Sequence, residues 1–198
     1  MTIITIFVAW YLGILFLHLS HEFGHAFFRY VFKAPAKAIE VGKGPQIYSG
    51  QFGGLKVQVR LFPLGGFCRD PFNLHIPQVH NVLHALIIFA GGIIINVIEA
   101  LILLIIVLST DTTPYNILIF RFLLAVAVLM ILDNSIPYSS NSDGRKILLA
   151  IKGLLTGNVT REWLDMQVRK PIKEMHMNFL RFLGFIIGIA ASYYIFVI

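Results

Sequence analysis

The stretch LHLSHEFGHAFF, residues 17–28, lies within an apolar run that extends from about Ile3 to Tyr30. A run of this length can cross a bilayer as an α-helix, because spanning the hydrocarbon takes about 20 mostly apolar residues. Histidine and glutamate are costly to bury in hydrocarbon, and inside a membrane helix they mark a function by default. The stretch therefore predicts a membrane helix whose last third carries a functional site.

His21, Glu22 and His25 in this stretch form the pattern H-E-x-x-H. Positions i and i+4 of a helix lie on the same face, so both imidazoles can bind one metal ion. Glu22 is rotated from His21 by about 100° and can reach a water molecule on that metal. Zinc lowers the pKa of such a water to about 7, and a carboxylate can take its proton during attack on a carbonyl group. The motif predicts one Zn²⁺ ion, with Glu22 as the general base.

The composition is typical of an integral membrane protein. Of the 198 residues, 57% are hydrophobic and only 13% are charged, whereas soluble globular proteins are about one quarter charged. The net charge of +6 accompanies the apolar segments, where anionic lipid and membrane topology account for it, so no nucleic-acid partner is expected. Cys68 is the only cysteine, which excludes an intrachain disulfide and a cysteine-based zinc site.

Four segments are apolar and long enough to span a membrane: about Ile3–Tyr30, Val82–Leu108, Ile117–Ile136 and Phe179–Ile198. Basic residues concentrate in the two long segments between them, and the positive-inside rule places those segments in the cytoplasm and both termini outside. We predict an all-α, multi-pass membrane protein with about four transmembrane helices. It forms a single domain, 1–198, with its core in 1–150 and an interfacial segment and helix in 151–198.

The first basic segment also contains a strand pattern. LKVQVRLF, Leu55–Phe62, alternates apolar and polar residues as far as Leu61, which is typical of a half-buried strand. Neighbouring glycines predict turns on either side of it. We expect a small antiparallel β-sheet at the cytoplasmic face of the membrane, whose edge at Val57 and Val59 pairs with an extended substrate.

Two histidines do not complete a metal site, and Asp143 is the expected third ligand. It follows Pro137, which ends the third span because proline cannot donate a backbone hydrogen bond. His21 follows about 18 mostly apolar residues, or about 27 Å of helix at roughly 1.5 Å per residue. Both elements therefore reach a similar depth, near the cytoplasmic face.

Three further stretches resemble motifs of the site-2 protease family of intramembrane zinc metalloproteases. FPLGGF (Phe62–Phe67) is similar to the family's Pro-x-Gly-Gly-aromatic element, and AGGIIIN (Ala90–Asn96) is similar to its Gly-x-x-x-Asn signature. NSIPYSSNSDG (Asn134–Gly144) resembles its Asn-x-x-Pro…Asp-Gly motif. The usual proline of the second signature is Ile93 here. The likeness covers residues 21–144 in family order. It implies a three-helix catalytic core, followed by a C-terminal helix, in a protein of the bacterial inner (plasma) membrane.

The resemblance implies that His21, His25 and Asp143 bind zinc and that Glu22 is the general base. The implied reaction is hydrolysis of peptide bonds in membrane-spanning or membrane-associated substrates, as in regulated intramembrane proteolysis or peptide maturation. The expected protein is a minimal bacterial-type member without a PDZ domain, acting with the bilayer and with a possible regulatory membrane partner. The expected substrate-binding residues are Gly92, Asn96, Asn134, Val57 and Val59.

Two other functions remain open at this point. One is a catalytically silent relative that acts as a binding or regulatory partner, which would have no need of Glu22. The other is a haem- or metal-carrying membrane protein that uses His18, His21, His25 and His84.

Several polar residues have more than one interpretation from sequence. His18 fits a cavity lining better than a fourth ligand. Glu99 either pairs with Arg121 or His84 or makes a structural contact between helices. Asp133 either sits at the interface or braces a metal-binding histidine.

Overall fold

The computed structural model describes residues 3–69, 81–109, 114–137, 142–157 and 160–169, together with positions 186, 187, 190 and 195. This part of the chain is mostly helical and contains one small sheet, as predicted. Its elements, in chain order, are α1 (Ile3–Val31), β1 (Ala38–Phe52), β2 (Leu55–Arg69), α2 (Val82–Ser109), α3 (Pro114–Ser135), α4 (Asp143–Leu155) and α5 (Arg161–Arg169).

Within the described part of the chain, three helices have the length and composition to cross a membrane: α1, α2 and the part of α3 from Ile117 to Ser135. Proline is favoured at the first position of a helix, which suits the start of α3 at Pro114. The same helix ends two residues before Pro137, as expected from the missing N–H of that residue. The predicted fourth span, Phe179–Ile198, lies outside the described residues apart from isolated positions.

Helices α1 and α2 meet at a pair of glycines. A Cβ atom on Gly24 would lie 2.5 Å from the carbonyl oxygen of Gly91, and one on Gly91 would lie 2.7 Å from the carbonyl oxygen of Gly24. Small residues allow membrane helices to approach this closely, and van der Waals packing then holds them together. Because Gly24 is flanked by His21 and His25, this crossing brings α2 directly against the H-E-x-x-H motif.

Helix α4 packs against α2 through a buried apolar cluster. Ile88 and Phe89 of α2 belong to this cluster together with Ala150 of α4 and Leu164 of α5. At the start of α4, Gly144 lies against the carbonyl oxygen of Ser135, where a side chain would have no room. This packing places Asp143, the first residue of α4, beside the crossing of α1 and α2.

Strands β1 and β2 form a two-stranded antiparallel sheet that is longer than the predicted Leu55–Phe62. The sheet lies alongside α1: the fully buried Ile39 and Val41 pack with Ala26 of the helix, and Tyr11 donates a hydrogen bond of 2.8 Å to the carbonyl oxygen of Leu61. The sheet therefore contacts α1 at positions as far apart as Tyr11 and Ala26, and is not confined to the C-terminal end of the helix.

The expectation that Val57 and Val59 form an open edge is wrong. Val57 pairs with both Ile39 and Gly50, and Val59 pairs with both Val41 and Tyr48, so neither position has a free side. The side chains of both valines are also buried, at 3% and 6% exposure. The irregular register of β1 causes this: its residues 48–51 pair with residues 56–59 of β2 on one side, and its residues 38–41 pair with the same residues on the other.

A charge cluster stabilises the end of the sheet. Glu40 accepts a hydrogen bond of 2.6 Å from Arg60 Nε and one of 2.8 Å from an Arg69 Nη atom. Burial alone would raise the pKa of Glu40, but the two guanidinium groups outweigh it and hold the pKa below its ordinary value. The cluster fixes Arg69, the last residue of β2, which also lines a cavity next to His21 and His25.

Candidate metal centre

The side chains of His21, His25 and Asp143 converge on one point. His25 Nε2 lies 3.1 Å from Asp143 Oδ2, His21 Nε2 lies 3.3 Å from the same oxygen, and the two Nε2 atoms are 3.3 Å apart. All three residues are buried. Among the described residues, this is the one group of three or more histidine, cysteine or acidic side chains whose ligand atoms come together in this way.

Each imidazole is oriented from behind by an oxygen atom. His21 Nδ1 lies 2.6 Å from Asn96 Oδ1, and His25 Nδ1 lies 2.7 Å from the carbonyl oxygen of Ile88. Amide and carbonyl oxygens only accept hydrogen bonds, so Nδ1 carries the hydrogen in both rings and donates it. Both Nε2 atoms therefore present lone pairs to the space between the ligands, which is how metal-binding histidines are held in proteins.

The donor set and its spacing fit zinc. Three lone-pair atoms at 3.1 to 3.3 Å from one another repel unless a cation lies between them. Tetrahedral zinc with bonds of about 2.0–2.1 Å separates its ligands by roughly 3.3–3.4 Å, close to the observed distances. Two histidines and one carboxylate also leave a fourth position open, as in catalytic zinc sites.

Asp143 is held as a carboxylate. Burial alone would raise the pKa of Asp143, but the imidazoles of His25 and His21, when protonated, and the ammonium group of Lys146 outweigh this effect and hold the pKa well below its usual range. Its second oxygen, Oδ1, lies 3.6 Å from Lys146 Nζ, one turn further along α4. The sequence analysis did not single out Lys146, although its i+3 spacing from Asp143 places both on one face of the helix.

A cavity of about 690 Å³ opens beside the three ligands and is also lined by Glu22. Glu22 is 6% exposed and packs against β2, where a Cβ atom on Gly66 would lie 2.6 Å from Glu22 Oε1. Gly66 was part of the FPLGGF motif, but sequence could not show that its missing side chain makes room for the Glu22 carboxylate. Gly65–Arg69 continue the cavity wall, and Asn134 of α3 and Lys146 also line it.

Cys68 lines this cavity too, which raises the question of a thiol nucleophile. Burial raises the pKa of the Cys68 thiol to about 12. A thiol with this pKa stays protonated at neutral pH, and only the thiolate is a strong nucleophile. Cys68 is therefore not a nucleophile in this cavity at neutral pH.

The predicted substrate-binding residues have different locations. Asn134 lines the cavity and donates a hydrogen bond of 2.9 Å to the carbonyl oxygen of Met130. Gly92 lies beside the metal-binding nitrogens, where a Cβ atom would come 2.5 Å from His21 Nε2 and 2.6 Å from His25 Nε2. Asn96 has no exposed surface and all its side-chain contacts are internal, so in this structure it supports His21 and does not line the cavity.

His18 lines the cavity, and its Nδ1 lies 3.0 Å from the carbonyl oxygen of Ile14, outside the ligand group. Asp133 also lines the cavity. The prediction that Asp133 braces a metal-binding histidine is wrong, because Asn96 and Ile88 already occupy both Nδ1 positions.

The pairing of Glu99 with Arg121 or His84 is also wrong. Ser20 and Asn96 donate hydrogen bonds to the two oxygens of Glu99. The His84 ring instead stacks on Phe32, with 4.3 Å between ring centroids. A structural contact between helices, the other interpretation, agrees with the partners observed.

Nearly the whole chain matches a known protein family. A family model described as peptidase family M50 matches residues 9–196, nearly the whole chain. The match includes every residue of the ligand group, Glu22 and the cavity wall.

Proposed function

Because this chain belongs to peptidase family M50, we propose that it is a zinc-dependent endopeptidase that hydrolyses peptide bonds of membrane-spanning or membrane-associated substrates. The family is one of zinc metalloproteases, and the three apolar helices support a membrane location. The observation that carries the proposal is the ligand group: two histidines from α1 and one aspartate from α4, oriented so that their lone pairs meet beside a buried glutamate.

His21, His25 and Asp143 would hold the zinc ion. When bound, zinc would polarise the scissile carbonyl group and acidify a water molecule at the open position. The Glu22 carboxylate, which faces the same cavity, takes up the proton of the attacking water and passes it to the nitrogen of the leaving amine. Glu22 and the three ligands are all buried, and the lower dielectric constant of a protein interior strengthens the electrostatic interactions between them.

A substrate helix has to unwind before its carbonyl groups can be attacked, and it then needs new hydrogen-bond partners. Residues Gly66–Arg69 of β2 pair with Ala38–Val41 on one side, and no other described residue pairs with them on the other. They also line the cavity beside Glu22. We therefore propose that an extended substrate adds to this edge, in place of the edge first expected at Val57 and Val59. Asn134, on the same cavity, is the proposed side-chain contact to the substrate backbone.

Zinc removal tests the proposed reaction. Purified protein in detergent is expected to contain one zinc ion per chain and to cleave a single-span peptide that carries a fluorophore and a quencher on either side of its span. Dialysis against a chelator should abolish cleavage, because the ligand group alone supplies no electrophile, and adding Zn²⁺ should restore it. Cleavage that persists after complete zinc removal, with zinc content measured by mass spectrometry, would contradict the proposal.

Proline substitutions test the proposed substrate edge. Neighbouring residues of a strand direct their N–H groups to opposite sides, so only one of Phe67 and Cys68 donates toward the open edge. Replacing that residue by proline should lower cleavage at least about tenfold while zinc content and the unfolding temperature stay unchanged. Proline at the other position should lower the unfolding temperature, because it removes a bond to β1.

The proline variants at Phe67 and Cys68 therefore serve as controls for each other, and Val57→Pro provides the comparison for a position that is paired on both sides. It should destabilise the protein in every assay. Equal cleavage by wild type and by both edge variants would contradict substrate addition at Gly66–Arg69.

A further inference from the structure

Glu99 is an acidic residue of α2 that the proposed mechanism does not use. It lies one helical turn after Asn96 and is only partly buried. Asn96 Nδ2 donates a hydrogen bond of 2.9 Å to Glu99 Oε2, and the Ser20 hydroxyl of α1 donates to Glu99 Oε1. A carboxyl group inside a membrane helix is costly to bury and is kept there for a function by default.

The direction of these bonds decides how the Asn96 amide is oriented. The two groups on one side of this amide, Glu99 Oε2 and the carbonyl oxygen of Leu17, both accept hydrogen bonds. The NH₂ group of Asn96 must therefore face them, and its oxygen must face His21. Leu17 is the weaker partner, at 3.3 Å against 2.9 Å for Glu99.

The orientation of the amide in turn decides which nitrogen of His21 carries a hydrogen. Asn96 Oδ1, at 2.6 Å from His21 Nδ1, can only accept, so Nδ1 keeps the hydrogen and Nε2 keeps its lone pair. If the amide rotated by 180°, its NH₂ group would face Nδ1 and favour the tautomer with hydrogen on Nε2. That tautomer cannot bind a metal through Nε2.

We propose that Glu99, held by Ser20, is a positioning residue that fixes the Asn96 amide and thereby keeps His21 in the tautomer that binds zinc. The inference rests on the proposed function, because it concerns the affinity of the same site for zinc. The inference gives a role to Glu99, whose carboxyl group contacts no ligand atom and does not line the cavity.

The test compares Glu99→Leu, Glu99→Gln and a control on the same helix, Ile102→Ala, whose side chain is 52% exposed. Loss of a group behind a metal-binding histidine typically weakens metal binding about 10–100-fold, and we expect this for Glu99→Leu. Glu99→Gln should bind zinc nearly as tightly as wild type, since its amide oxygen accepts from Asn96. Its NH₂ group then donates to Ser20 Oγ, whose hydroxyl turns to the carbonyl oxygen of Phe16.

Zinc affinity is measured by competition with a chromophoric chelator, and the unfolding temperature of the metal-free protein is measured beside it. Ser20→Ala provides a second variant, expected to weaken zinc binding in the same direction, in case Glu99→Leu does not fold. Equal zinc affinity of wild type and Glu99→Leu would overturn the inference, as would Glu99→Gln binding as weakly as Glu99→Leu. If wild type itself binds no zinc, the proposed function fails as well, so the two failures are distinguishable.

Discussion

Glu22→Gln should leave one zinc ion bound and reduce peptide cleavage by about 10²–10⁴-fold, the usual contribution of a general acid–base group. Glutamine has the same size as glutamate, so it fits the space that Gly66 leaves beside this side chain. Its amide cannot take up a proton from an attacking water. The ligand group does not include Glu22, so zinc content should not change.

The measurement is zinc content and the cleavage rate of the fluorogenic single-span peptide, in wild type and in three variants. His25→Ala should lose both zinc and cleavage, which separates loss of the metal from loss of the base. Glu162→Gln, on the exposed side of α5, controls for removal of a carboxylate and should match wild type. Normal cleavage by Glu22→Gln would assign the base elsewhere, and loss of zinc would make Glu22 a ligand.

The part of this site that sequence could predict is local along the chain. His21, Glu22 and His25 occupy two adjacent turns of one helix, so their relative placement follows from helix geometry alone. Asp143 lies more than a hundred residues later, yet membrane depth restricts where a helix end can be. The structure brings it to within 3.3 Å of both histidines.

What could not be predicted depends on how separate elements meet. The alternation of Leu55–Leu61 predicts a strand, but it cannot show that Val57 has partners on both sides, since the second partner comes from a fold in β1. The role of Asn96 is a second case: the family resemblance implied that it contacts the substrate. Only the crossing of α1 and α2 shows that Asn96 faces the back of the His21 ring.

Gly92→Ala should abolish zinc binding, with a loss in affinity of at least about 100-fold, while the protein remains folded. A Cβ atom at this position would lie 2.5 Å from His21 Nε2 and 2.6 Å from His25 Nε2. Carbon and nitrogen atoms in contact are normally about 3.5 Å apart or more, so at least one imidazole has to move. Both rings are fixed from behind by Asn96 and Ile88, so moving either one also breaks a hydrogen bond.

Variants of two other glycines, Gly91 and Gly13, test whether the effect of Gly92→Ala is specific to the metal centre. Gly91→Ala places its methyl group against the backbone of Gly24, so it should separate α1 from α2 and lower the unfolding temperature together with zinc affinity. Gly13→Ala instead meets the Leu123 side chain, far from the ligands, and this side chain can change rotamer, so zinc affinity should stay close to wild type. Zinc titration and thermal unfolding of the three variants distinguish these cases. If Gly92→Ala bound zinc as wild type does, the ion could not lie between His21 and His25, because the added methyl group occupies the space beside both Nε2 atoms.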